Sequence, residues 1–299
     1  MDVEGMCGHP DSSRDRPAGD ATAVQAAVWF RIGGLLRFLS HAETLRVCQR
    51  ACARAGVPVK HTMGFNPHPR LSLPLPRSVG VESDDELLVL WLSVERDGMR
   101  GCVESSTGIL PVGPTGVSPV EDGRLQGQDG PATHGQDAHA TEGRLLTHRL
   151  SACDMSLEEF ASRIGQALQR VLPAGIEVLR VKVSGAPVSF QARAASYQFR
   201  YGSNRSAEFL EALERRVRGI LERTSLIVER KLPGDRRARR IDVRPFIESI
   251  QPAGEGLVVR CNVTAAGSIR VGEILQLLEL KTEDLAAPIR RTGVEWAAT

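Results

Sequence analysis

The amino-acid sequence predicts an α+β protein in which a strand-helix-strand-strand-helix-strand series occurs twice. Three observations lead to that expectation. Short β-prone runs alternate with amphipathic segments from about residue 27 to the end of the chain. Two helix starts carry a serine followed three residues later by a glutamate, Ser40/Glu43 and Ser156/Glu159; at that spacing each side chain satisfies an orphan N–H beside the other. Gly and Pro stand at the ends of the periodic runs, where a chain must stop or turn.

In order, Ala27 to Ile32 is a β-prone run closed by Gly33-Gly34. The helix begun at Ser40 places Leu45, Cys48, Cys52 and Ala55 on one face, and Gly56 ends it where a left-handed residue is wanted. Leu87 to Leu92 is apolar enough to be a strand buried on both faces. The Ser156 helix runs to about Val171, stopped by Pro173 and Gly175, and Ile176 to Val183 alternates as a half-buried strand. A second series follows. Ser196–Tyr201 reads as a strand, and residues 206–223 as a helix with Leu210, Leu213, Val217, Ile220 and Leu221 inward. Leu226–Arg230 and Gly256–Val263 read as strands, 271–280 as a helix, and Ile289–Trp296 as the last strand. This is the order of two ferredoxin-like halves, with boundaries expected at 24–185 and 186–299.

Two segments fall outside that scheme. Residues 1–23 are polar and rich in Gly, Asp and Arg, and read as a disordered leader. Residues 100–145 are rich in Gly, Pro, Thr and Gln, with the run at Gly127–Thr133 echoed at Gly135–Thr141. They read as a low-complexity insert in the first half.

Net charge is +2 over 299 residues, so the chain as a whole is no electrostatic nucleic-acid binder, and local clusters must carry any such role. The six cysteines are scattered, no basic-then-apolar leader precedes them, and no run approaches a membrane span. A reducing cytoplasm and no disulfide framework are expected.

The most distinctive stretch is His61-Thr62-Met63-Gly64-Phe65-Asn66-Pro67-His68-Pro69-Arg70. Each proline fixes its own φ and biases the residue before it toward extended backbone. Asn66 and His68 are thereby held extended, and Lys60, His61, His68, Arg70 and Arg77 are expected on a semi-rigid scaffold suited to an anionic or nucleotide ligand, or else as solvated groups on a stiff connection. His41 is expected near His61 and His68, a pair of which could serve as acid and base. A second basic region comprises Arg230, Lys231, Arg236, Arg237, Arg239, Arg240 and Arg244, a density able to grip phosphates. Tyr197, Phe199 and Tyr201 alternate on one strand and face either bases or the core. No metal site is expected.

The combination Leu36-Arg37-Phe38-Leu39-Ser40-His41, Arg54-Ala55-Gly56-Val57-Pro58, Gly64-Phe65-Asn66-Pro67-His68-Pro69 and Gly80-Val81-Glu82-Ser83 resembles the N-terminal signature of the radical SAM-linked protein family. The likeness is strong over about 27–95 and weaker over 150–250, chiefly through Arg240-Ile241-Asp242-Val243-Arg244-Pro245. The 100–145 segment departs from it. Members are similar to the C-terminal part of certain radical SAM proteins, or occur as separate companions of them.

The resemblance implies a radical SAM protein as partner; ligand or partner binding is expected at Arg37, His41, Lys60, His61, Asn66, His68 and Arg70. A radical SAM enzyme holds its cluster through three closely spaced thiolates. Here Cys48 and Cys52 have the first spacing, but Ala55 stands at the third position. S-adenosylmethionine and the iron–sulfur cluster are therefore expected on the partner only. The leading expectation is an accessory or substrate-binding protein, with RNA as a candidate substrate. The alternatives are an independent RNA-binding protein and a small hydrolase or nuclease using His41, His61 or His68.

Overall fold

A computed structural model describes residues 24–93, 110–111, 155–231 and 238–299. The expected leader, nearly all of the expected insert, and Arg236 and Arg237 lie outside the described residues. In chain order the strands are β1 (Val24–Ile32), β2 (Leu71–Ser72), β3 (Glu82–Leu92), β4 (Leu110–Pro111), β5 (Ile176–Ser184), β6 (Phe190–Arg200), β7 (Ile227–Arg230), β8 (Arg239–Asp242), β9 (Ile247–Pro252), β10 (Gly256–Asn262) and β11 (Arg290–Ala298). The α-helices among the described residues are α1 (His41–Arg54), α2 (Leu157–Val171), α3 (Ala207–Glu222) and α4 (Val271–Leu278).

In the first half the strand order is β4-β5-β1-β3-β2, with every neighbour antiparallel. In the second half it is β11-β6-β10-β9, again antiparallel throughout. The halves meet where Arg290 and Arg291 of β11 run parallel to Glu82 and Ser83 of β3, which makes one mixed nine-stranded sheet.

Local chemistry accounts for the helix ends. Ser40 accepts from Glu43 N while Glu43 accepts from Ser40 N at 2.8 Å, a complete capping box. Gly56, at φ +62°, supplies the left-handed residue that ends α1. Ser156 accepts from Glu159 N at 3.1 Å and Ser206 from Phe209 N at 3.2 Å. At Gly175 (φ +99°) a Cβ would lie 2.9 Å from the Gly33 carbonyl, so no side chain fits where this turn packs on the end of β1.

Each half has its own core. α1 and α2 cover one face of β1, β3 and β5 through Cys48, Cys52, Phe160, Ile164 and Leu168. α3 and α4 cover the second half with Leu213, Ile220, Ile274 and Leu278 against Phe199 and Val259. A smaller cluster, Ala27, Trp29, Leu87 and Val89, lies apart from the α1–α2 core. This is why β1 and β3 are apolar on both faces.

Several expectations change. The strand expected at Leu226–Arg230 exists as β7, but it pairs with β8 in a separate two-stranded ribbon, and the position beside β10 belongs to β9. β3 starts at Glu82 rather than Leu87, because its acidic residues pair with arginines across the seam instead of facing water. Leu210, expected inward, stands 36% exposed on α3. No described helix is long and apolar enough to cross a membrane.

Candidate functional site: an extruded loop and a seam between the halves

The proline-rich stretch is an excursion from one edge strand. Pro58, Lys60 and Arg70 bond the end of β3: Ser93 N to Pro58 O at 2.7 Å, Lys60 N to Trp91 O at 2.7 Å, and Trp91 N to Arg70 O at 3.1 Å. Between them the chain leaves the sheet and returns, closed by Arg70 N to Lys60 O (2.7 Å), Thr62 N to His68 O (2.8 Å) and a His61–Pro69 bridge. His68 N also donates to Thr62 Oγ1 at 3.0 Å, and the Arg70 guanidinium lies 5.3 Å from the Trp91 ring centre. With its base fixed, the loop holds Met63 and Phe65 wholly in solvent, at 98% and 104% exposure. His61, Asn66 and His68 are exposed around them, and Lys60 and Arg70 are half-buried at the base.

Five of the seven expected binding residues, Lys60, His61, Asn66, His68 and Arg70, therefore share one loop. Arg37 and His41 do not join them. Arg37 lies in a short 3₁₀ turn that bonds the loop before β3, through Gly80 N to Arg37 O at 2.8 Å. His41 opens α1, at the same end. The excursion instead adjoins Trp91, eight residues along β3 from Ser83, about 26 Å at strand rise. The expected proximity of His41 to His61 and His68 is thus corrected: α1 runs back along the sheet and carries the chain to its other end before His61.

Arg77, expected on the presented scaffold, is buried. Its guanidinium donates to the carbonyls of Leu36, Arg37, Leu39, Ser78 and Val81, tying the 3₁₀ turn to the loop before β3. Burial pulls its pKa below the usual guanidinium value.

The second basic region does not form one exposed surface. Arg230 is buried and grips Glu273 with two bonds, at 2.8 and 2.7 Å, while donating to Ser268 O at 3.0 Å. Burial pushes the Glu273 carboxyl up, but hydrogen bonds from Arg230 and Arg270 N outweigh it and hold the group below its ordinary value. Arg244 closes the end of α3 by donating to the carbonyls of Leu221 (3.0 Å), Arg223 (2.9 Å) and Ile247 (2.8 Å). Asp242 accepts from Leu226 N and Arg244 N, and those two bonds lower its pKa. Lys231, Arg239 and Arg240 are exposed. The alternating aromatics are not a stacking platform: Phe199 is fully buried, and Tyr197 and Tyr201 pack against the same core.

Cys48 and Cys52 are core residues of α1 and Cys261 of β10. Burial pushes all three thiols up to about 12. Among the described residues no three His, Cys, Asp or Glu side chains are grouped to hold a metal.

Sequence reasoning missed the seam. Arg291 is fully buried and pairs with Glu86; it also donates to Ser83 Oγ at 3.3 Å and to Pro76 O at 3.4 Å, and hydrogen-bonds Tyr197. Arg290 pairs with Glu82 at 2.7 Å and Asp84 at 3.3 Å. The signal was an acidic run, Glu82–Glu86, and an Arg-Arg pair, both next to apolar strand residues. Beside this seam opens a cleft of about 300 Å³, lined by Leu75–Ser78 from the first half and by Tyr197, Arg230, Cys261 and Arg270 from the second.

No curated protein matches the chain. A family profile described as "Uncharacterized protein conserved in bacteria (DUF2344)" matches residues 25–102 and 149–277, which include the extruded loop, the two first-half helices and the β7–β8 ribbon. The match covers more than half of the chain, which therefore belongs to this family of uncharacterized conserved bacterial proteins.

Proposed function

We propose that this chain is an accessory binding protein that docks onto a radical SAM enzyme through the Lys60–Arg70 loop, with RNA as the candidate substrate of the pair. The observation behind the reading is the loop tip. Met63 and Phe65 stand wholly exposed on a base fixed by backbone bonds. Met and aromatic residues are enriched in interface cores, and a preorganised loop loses little entropy on binding. The identity of the partner rests on the resemblance of Leu36–His41, Gly64–Pro69 and Gly80–Ser83 to the radical SAM-linked proteins. In this reading S-adenosylmethionine and the iron–sulfur cluster belong to the partner, and the protein works in the cytoplasm, where three buried free thiols persist.

The same reading takes each half as a ferredoxin-like unit, divided near residue 185. Its support is the strand order: with β4 and the β7–β8 ribbon set aside, the first of the four remaining strands of each half lies between the fourth and the third, as β5-β1-β3-β2 and β11-β6-β10-β9. A second reading, RNA binding without a partner, draws on Lys231 and Arg240, which are exposed at the β7–β8 ribbon.

The test is anaerobic co-purification from the source cell's lysate with and without nuclease, comparing the natural chain with Phe65→Ser. The reading expects a radical SAM protein in near-stoichiometric amount, reduced by the substitution and insensitive to nuclease. Recovery of RNA alone, lost with rising salt, replaces it with the second reading. Equal recovery of the partner by Phe65→Ser removes the loop from the interface.

A further inference from the structure

We propose that the cleft at the seam is a binding site for a small phosphate-bearing molecule, separate from the extruded loop. The argument begins with charge. Around the cleft and in the wall behind it stand four guanidiniums, of Arg77, Arg230, Arg270 and Arg291, and two carboxylates, of Glu86 and Glu273. Glu86 is shared between Arg291, which it contacts closely, and Arg77 at 3.9 Å. Glu273 serves Arg230 and the backbone N–H of Arg270. Among these six groups the excess is two positive charges, the charge that a phosphate monoester dianion balances.

Two donors remain for such a ligand. The Arg270 guanidinium is exposed at the cleft and forms no ion pair with a described residue. The Nη1 group of Arg230 donates to no described acceptor, while its Nε and Nη2 are held by Glu273 and Ser268. Glu273 therefore fixes the Arg230 fork in place, and planar guanidiniums match phosphate oxygens geometrically. The N-terminus of α4 is not the site, because Glu273 already occupies it through Arg270 N at 2.8 Å.

The rest of the cleft is apolar or weakly polar: Leu75, Pro76, Val263 and Ile269 form its walls beside the Tyr197 ring. At about 300 Å³ it falls at the small end of ligand pockets. It fits a phosphate joined to a compact organic body better than a polymer. Because the first half supplies Leu75–Ser78 and the second supplies Arg230 and Arg270, an occupant would bridge the two halves and stabilise their junction.

The experiment is thermal denaturation and calorimetric titration of the full chain with inorganic phosphate, pyrophosphate and AMP at constant ionic strength. Chloride serves as the control, and Arg270→Ala and Arg270→Glu are the variants. The proposal expects one of the three probes to raise Tm by mass action. Loss of one charge-assisted contact should weaken that binding about tenfold in Arg270→Ala, and further in Arg270→Glu. Binding by inorganic phosphate and AMP alike assigns recognition to the oxyanion; AMP alone assigns part of it to the apolar walls. No Tm shift with any probe at 10-millimolar order, or an equal shift in both variants, overturns the proposal. Phe65→Ser should bind the probes unchanged, which separates this site from the docking loop.

Discussion

Arg291 and Glu86 form an ion pair at the junction of the two halves, with Arg291 wholly buried and Glu86 nearly so. The pair joins β11 to β3 where the parallel register spans only Arg290 and Arg291 against Glu82 and Ser83. Side-chain chemistry therefore does at the seam what a longer ladder does elsewhere in the sheet. Burial alone would lower the Arg291 pKa, but the Glu86 carboxylate and the Tyr197 hydroxyl raise it above the usual value. Arg77 meets the same Glu86 oxygen only at 3.9 Å, and burial lowers its own pKa.

Glu86→Ala is expected to destabilise the protein by about 3–5 kcal/mol, because it leaves Arg291 charged and unpaired in the interior. The double variant Glu86→Leu/Arg291→Met is expected to recover most of that loss. Urea denaturation of the three proteins checks the claim; equal losses in single and double variants would remove the ion pair as the cause.

Arg244→Ala is expected to cost about 2–3 kcal/mol, since it frees carbonyls of Leu221, Arg223 and Ile247 at once. The neighbouring Asp242 adds a pH dependence. Its pKa is depressed by the N–H groups of Leu226 and Arg244. Its contribution is therefore present above the unfolded value near 3.9 and is lost as pH falls through the lower, folded value. Asp242→Asn should flatten the acid limb of a Tm–pH curve below about pH 4.

Ser40→Ala is expected to cost about 1 kcal/mol through loss of the α1 cap. Thermal melts against the natural chain read it directly.

Cys48, Cys52 and Cys261 are expected to resist alkylation in the native protein at neutral pH, because only the thiolate reacts and burial pushes these thiols to about 12. Peptide mapping after iodoacetamide, with and without denaturant, checks this residue by residue. Fast native labelling of Cys48 or Cys52 would contradict their packing inside α1.

Met63→Ser and Phe65→Ser are expected to change stability by less than about 0.5 kcal/mol, since neither side chain is buried. A larger loss in urea denaturation would mean that the tip packs against protein.

By itself the sequence determined the local devices. Ser40/Glu43 and Gly56 bound α1, Ser156 opens α2, and Pro173 and Gly175 close it. Caps, turns and 3.6-residue periodicity act within a few residues, so they are legible without the fold. The prolines around Asn66 and His68 likewise marked an unusual loop. Only the tertiary structure decided what the charges do. Arg77, Arg230, Arg244 and Arg291 are written in the same letters as exposed arginines, yet each directs guanidinium donors to partners within the protein. Their partners lie from 1 to 215 residues away in the chain, and burial is set by strand order rather than by neighbours. The same holds for His41. Its distance from His61 follows from the direction in which α1 crosses the sheet, a non-local property that no spacing in the sequence encodes.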